Sequence, residues 1–169
     1  LGGGANYIEM DYSSITGNVT AGSGDDDLDM YESSITGNVD LGEGANYIEV
    51  TDSTITGDII VGGGDDILII DPSLIDGSVY LGNGYNQLSL IDSTITGNVT
   101  GGTGVDDVYL DNSIIGGDVS LDGGNDILTL VNNSLIVGSV DLGAGDDILN
   151  VDATSKIEGP GDLARVTTL

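Results

Sequence analysis

The chain of 169 residues has no histidine, cysteine, tryptophan or phenylalanine, and sets only two basic residues against 29 acidic ones. Each absence closes a class of function. Without imidazole or thiolate there is no tetrahedral zinc site, no thiol nucleophile and no disulfide framework, so any metal here is bound by oxygen. A formal charge of −27 argues against nucleic acid, whose affinity comes from lysine and arginine displacing counterions. Anionic lipid is disfavoured for the same reason. Apolar runs of a few residues fall far short of the roughly 20 needed to span a bilayer, so no membrane insertion is expected. No basic stretch followed by an apolar one opens the chain. It begins at Leu1 and is read as a mature segment or a piece of something longer.

What is present is order. Apolar residues make up 38% of the chain, nearly all aliphatic and periodic, which separates it from the disordered acidic sequences that its charge would suggest. Written in blocks of twenty, the sequence aligns with itself without a gap from Leu1 to Ser120. Coils start at Leu1, Ala21, Leu41, Val61, Leu81, Gly101, Leu121 and Leu142. The seventh carries one extra residue between Asn132 and Val137.

The consensus runs apolar-Gly-x-Gly-x-Asp/Asn-x-aliphatic-x-aliphatic, then polar residues around serine, then x-Ile-x-Gly-x-Val-x. The fourth place is always glycine: Gly4, Gly24, Gly44, Gly64, Gly84, Gly104, Gly124 and Gly145. The sixth is always Asp or Asn: Asn6, Asp26, Asn46, Asp66, Asn86, Asp106, Asp126 and Asp147. Alternating apolar and polar places are a strand signal, and the glycine-rich and serine-containing stretches are turn chemistry. One coil cannot bury its aliphatics alone; stacked coils can. The predicted fold is therefore all-β, a parallel β-solenoid of about eight coils over residues 1–152, with 153–169 as a cap or exit linker holding both basic residues, Lys156 and Arg165, and the Gly159-Pro160-Gly161 turn. At about 4.8 Å per coil the rod is roughly 40 Å long. A second glycine column (Gly17, Gly37, Gly57, Gly77, Gly97, Gly117, Gly138) allows two cross-sections. The chain either bends there into a triangle or stays flat with these glycines facing inward.

The stretch Gly62-x-Gly64-x-Asp66-x-Leu68 resembles the nonapeptide G-G-x-G-x-D-x-U-x of RTX proteins, the calcium-binding β-rolls of secreted bacterial proteins. The match covers about half of each coil. Place one is mostly Leu, Val or Ala instead of glycine, and the second half of the coil is no nonapeptide, so one metal row is implied where an RTX roll has two. Calcium takes six to eight oxygens from carboxylates and carbonyls. On this reading the ligands are the glycines and acids of the first turn: Gly24 with Asp26, Gly64 with Asp66, Gly104 with Asp106, Gly124 with Asp126 and Gly145 with Asp147, joined by Asn6, Asn46 and Asn86. The favoured positions are the row Asp106, Asp126, Asp147 and the pairs Asp25-Asp26, Asp65-Asp66 and Asp146-Asp147. Alternatively, stacked amides at Asn6, Asn46 and Asn86 close the turn without metal. More than three uncompensated charges per layer, stacked closer than the roughly 8 Å Debye length, call for some counter-cation in either case.

Other columns point away from chemistry. Ser13, Ser33, Ser53, Ser73, Ser93 and Ser113 have no base to activate a hydroxyl, and turn hydrogen bonding accounts for them. Carboxylates are everywhere and single out no glycosidase pair, so no enzyme is expected. The second acidic column (Asp11, Glu32, Asp52, Asp71, Asp92, Asp111, Asp152) shifts between places and reads as solvated surface. Ser14/Thr16, Ser34/Thr36, Thr54/Thr56 and Thr94/Thr96 resemble the threonine ranks of ice-binding solenoids, but Leu74/Asp76 and Ile114/Gly116 interrupt them. The expectation is a calcium-stiffened rod or spacer in a secreted or cell-surface protein, joined to flanking domains or associating end to end. An ice- or carbohydrate-binding face and a metal-free self-assembling solenoid are the alternatives.

Overall fold

The computed structural model describes residues 1–159 and the strand Val166–Thr168. These residues form strands and turns with no helix, arranged as a parallel β-solenoid of about eight coils. Each of the first seven coils contributes three strands, one to each of three parallel sheets, and the eighth contributes to the first two among the described residues. The first face starts with Tyr7–Asp11, Asp27–Tyr31 and Tyr47–Thr51. The second starts with Ser14–Thr16, Ser34–Thr36 and Thr54–Ile55, and the third with Val19–Thr20, Val39–Asp40 and Ile59–Ile60.

The spacing of twenty in the sequence is the pairing register in space. Ile8 lies beside Leu28, Leu28 beside Ile48 and Ile48 beside Leu68. The extra residue of the seventh coil is absorbed at the corner between the first two faces. Asp111 pairs Val131, twenty residues on, whereas Ile114 pairs Leu135, twenty-one on. Asn132 and Asn133 take it up with φ of 56° and 67°, the left-handed conformation that asparagine tolerates better than most residues.

Apolar residues at places 1, 8, 10, 15 and 19 point inward because alternate strand residues face opposite sides. In the third coil these are Leu41, Ile48, Val50, Ile55 and Ile59, each at most 1% exposed. Each contributes about 1.5–3 kcal/mol when fully buried. That gain exists only when a coil above and a coil below complete the enclosure, so the core is a property of the stack.

The cross-section is the bent one. The second glycine column sits at the corner between the second and third faces, where backbone lies on backbone: a Cβ added to Gly97 would stand 2.6 Å from the Gly77 carbonyl oxygen. The first corner is tighter still, since a Cβ on Gly84 would meet the Gly64 oxygen at 1.9 Å, at a φ of +126°.

Stacking continues past Asp152. Lys156–Ile157 pairs Leu135–Ile136 on the second face, and the Gly159 N–H donates to the Gly138 carbonyl. Val166–Thr168 adds a further rung beside Ile148–Val151 on the first face. The repeat thus runs seven residues beyond the boundary placed at 152. The Pro160-Gly161 part of the turn and Arg165 lie outside the described residues.

Gly84→Ala is expected to lower stability by about 2 kcal/mol or more, from a backbone clash combined with a left-handed φ. Gly2→Ala, with open space around the site, is expected to be near neutral. Urea denaturation of the two variants checks the contrast.

Candidate cation row and the polar ladders

The Asp/Asn column that the RTX resemblance marks as a metal row faces the inside of the solenoid. Asp26, Asn46, Asp66, Asn86, Asp106 and Asp126 are between 0 and 2% exposed. Asn6 and Asp147, toward the two ends of the stack, are half-buried. The reason is parity: places 6, 8 and 10 share one side of a strand, and places 8 and 10 are core.

Within the column, Oδ1 of one coil accepts the backbone N–H of the coil before it. Asn6, Asp26, Asn46 and Asp66 donate in turn to Asp26, Asn46, Asp66 and Asn86 at 2.7–3.2 Å. Asp106 donates to Asp126 and Asp126 to Asp147, at 2.8 and 3.0 Å. Asp106 is reached differently, by the Asn86 side-chain NH2 at 2.8 Å. The corner backbone turns away from its neighbour here, and the side chain supplies the missing acceptor, as buried amides require.

The second terminal atom separates amide from acid. Asn46 Nδ2 donates to the carbonyls of Gly42, Gly44 and Val61 at 3.2, 3.1 and 2.9 Å. Asn6 Nδ2 donates likewise to Gly2 and Gly4. In Asp26, Asp66, Asp106 and Asp126 the corresponding Oδ2 is buried with no hydrogen-bond partner. Burial, the largest cause, pushes Asp66 up to about 6 against the Asn46 donors, with Asp65 and Glu43 adding to the rise. Burial likewise drives Asp126 up to about 6, assisted by Asp106, Asp147 and Asp122. Burial raises Asp106 as well.

The remaining predicted ligands lie around this column without joining it. Gly24, Gly64, Gly104, Gly124 and Gly145 stack as corner backbone; the Gly124 N–H donates to the Ala144 carbonyl and the Gly104 N–H to that of Gly123. The acid pairs are split by the strand alternation. Asp25 and Asp65 are exposed and accept the N–H groups of Ala45 and Tyr85 at 2.9 Å, while Asp26 and Asp66 face inward.

Tested against calcium, this donor set falls short. One oxygen of each column acid already accepts an N–H or NH2 group. Through the first five coils an amide stands between successive carboxylates and presents hydrogens to the carbonyls an ion would need. Among the described residues no three carboxylates gather to hold a metal. Six to eight oxygens at 2.3–2.6 Å are not assembled here.

Two further ladders hold the other corners. Serine Oγ accepts the N–H of the serine one coil earlier, from Ser13 on Ser33 to Ser134 on Ser155, at 2.9–3.2 Å. The hydroxyl donates back to a carbonyl two residues upstream, as from Ser93 to Ile91 at 2.7 Å. These serines are turn supports, and Ser155 extends them into the eighth coil. At the third corner the direction reverses: Asn38 donates to Asn18, Asp58 to Asn38, Ser78 to Asp58, and so on to Ser139 on Asp118, at 2.7–3.1 Å. The column Asn18, Asn38, Asp58, Ser78, Asn98, Asp118, Ser139 escaped the sequence reading, although every member is a short polar acceptor placed directly after a glycine. The second acidic column lines the first-to-second corner at the surface. There Asp152 accepts from the Asn132 N–H at 2.9 Å and from the turn at Thr154 and Ser155, which holds its carboxyl well below the usual carboxylate range.

Compared with protein-family models, with curated proteins and with solved structures, the chain matches none.

Ser93→Ala removes the acceptor of the half-buried Ser73 N–H. The expected loss is about 1–3 kcal/mol. Ser13→Ala, on the exposed first coil, is expected to change stability by less than about 0.5 kcal/mol. Chemical denaturation of both variants measures the difference.

Proposed function

We propose that this chain is a non-enzymatic rigid spacer, a segment of a secreted or cell-surface protein whose length is set by the number of coils. The observation that carries this reading is the closure of all three corners by side-chain ladders: turn amides are satisfied by a neighbouring coil, the next one at the first two corners and the preceding one at the third, so stiffness comes from peptide and side-chain ladders. The outer surface is predominantly acidic, with Lys156 the one basic side chain among the described residues. On the first face Glu49, Asp27 and Asp29 crowd around Tyr47, whose hydroxyl donates to Glu49 at 2.8 Å and is pushed up to about 12 by that bond first. Such a surface keeps a spacer soluble and apart from its neighbours. Its export rests on composition, on the lack of cysteine and on an acid excess that diffuse cations offset. Calcium, on this account, acts as one such counter-ion and not as the structural element of the turns.

The threonine-face alternative gains nothing from the fold. Leu74 and Ile114 stand outward on the second face at 37% and 40% exposure, and each strand there is only two or three residues wide.

A spacer built this way is extended by copying. Duplicating residues 41–80 is expected to add two coils and about 10 Å of length. Folding stability should rise at the same time, because each interior coil brings one more interface. Scattering and urea denaturation of the lengthened chain in excess chelator check both. Loss of the β signal in chelator, or an insert that leaves length and stability unchanged, would overturn the reading.

A further inference from the structure

We infer that the first face carries, at the fourth to sixth coils, a docking site for an uncharged oligosaccharide, with Ile67, Ile69 and the Tyr109 ring against the C–H faces of a sugar and Gln87, Ser89 and Asp107 on its hydroxyls. This goes beyond the spacer reading and stands or falls separately from it.

The outward places of this face are the seventh and ninth of each coil, and their chemistry changes partway along the rod. In the first three coils they hold Glu9, Asp27, Asp29 and Glu49 together with Tyr7 and Tyr47. From the fourth coil to the eighth Asp107 is the one charged residue at these places, and the others are isoleucine, tyrosine or neutral polar residues. Parallel pairing sets them in two straight rows: Ile67, Gln87 and Asp107 in one, Ile69, Ser89 and Tyr109 in the other. The second row runs large, small, large. Between Ile69 and Tyr109 the short side chain of Ser89 leaves a depression of about 170 Å³, lined by these six residues and by Leu68 and Leu88. The corner acid Asp111 stands beside the Tyr109 hydroxyl.

Size, lining and charge select the occupant. The depression is well below the roughly 300 Å³ at which drug-sized sites begin, so it receives one ring of a longer chain. Its lining joins apolar surface to an amide, a hydroxyl and a carboxylate that accepts hydrogen bonds. A sugar ring, with C–H patches between its hydroxyls, complements that mixture. An anionic chain is repelled by a rod of charge −27, and an organic cation finds denser acid on the first three coils. A second copy fits poorly. Five coils about 4.8 Å apart and strands of about five residues give a flat footprint of roughly 400 Å², half of the roughly 800 Å² per partner in a standard interface. Two copies of this charge also repel each other.

The test is an amide NMR titration in excess chelator with three uncharged hexamers: β-1,4-linked glucose, α-1,4-linked glucose and β-1,4-linked N-acetylglucosamine, each taken to about 10 mM. At least one is expected to shift the signals of Gln87, Ser89, Asp107 and Tyr109, with a Kd on the order of a millimolar that added salt leaves unchanged. This titration of the wild type requires no variant to fold. Ser89→Ile fills the depression with the side chain that Ile69 presents one coil earlier, and should weaken binding about tenfold or more while the β spectrum is kept. Tyr109→Ala should weaken it about as much, and Thr94→Ala, on the second face, should bind as the wild type does. The inference is overturned by no shift with any of the three sugars, by undiminished binding in Ser89→Ile, or by shifts that only a hexalysine peptide produces. Doubling of the mass with concentration, through these same residues, would also overturn it by making a second copy the occupant.

Discussion

A backbone amide removed from water must find an acceptor, and in this molecule the nearest one is almost always a coil away. That single requirement explains more of the structure than the aliphatic core does. Strand amides pair with strand carbonyls in the usual parallel manner. At the three corners the backbone turns and the carbonyls point elsewhere, so short side chains step in. Asp or Asn serves at the first corner, serine at the second, and Asn, Asp or Ser at the third. Only side chains one or two carbons long reach a neighbouring coil about 4.8 Å away without excess length to order.

The aliphatic core depends on this closure. Leu41, Ile48, Val50, Ile55 and Ile59 are sealed because the coils above and below are held in strict register, and the corner ladders are what fix that register. The glycines serve the same end. Where backbone rests directly on backbone, as at Gly84 over Gly64, a side chain would pry the coils apart.

Much of this was legible in the sequence. The twenty-residue period, the inward aliphatic places, the site of the extra residue and the all-β solenoid follow from alternation and spacing alone. The orientation of place six was legible too, through its parity with Ile48 and Val50, but the likeness of Gly-x-Gly-x-Asp to a metal-binding turn drew attention outward. The continuation of the eighth coil was written in Ser155-x-Ile157-x-Gly159, which repeats Ser33-x-Ile35-x-Gly37. Less accessible were the third face, whose strands such as Val39–Asp40 span two residues, and the ladder at Asn18. A two-residue strand has no measurable period, and a column mixing Asn, Asp and Ser looks like ordinary surface variation until the coils are stacked. That four of the carboxylates bury an oxygen without a hydrogen-bond partner could not be read from a chain in which 29 of them look alike.

Amide hydrogen exchange measures the central constraint most directly. The corner N–H groups of Asp26, Asn46, Asp66, Ser33, Ser53 and Ser93 are predicted to exchange as slowly as strand amides such as those of Ile48 and Leu68, opening only when the whole stack unfolds. Exchange of these corner amides at the rates of open loops, while the strands stay protected, would contradict the account.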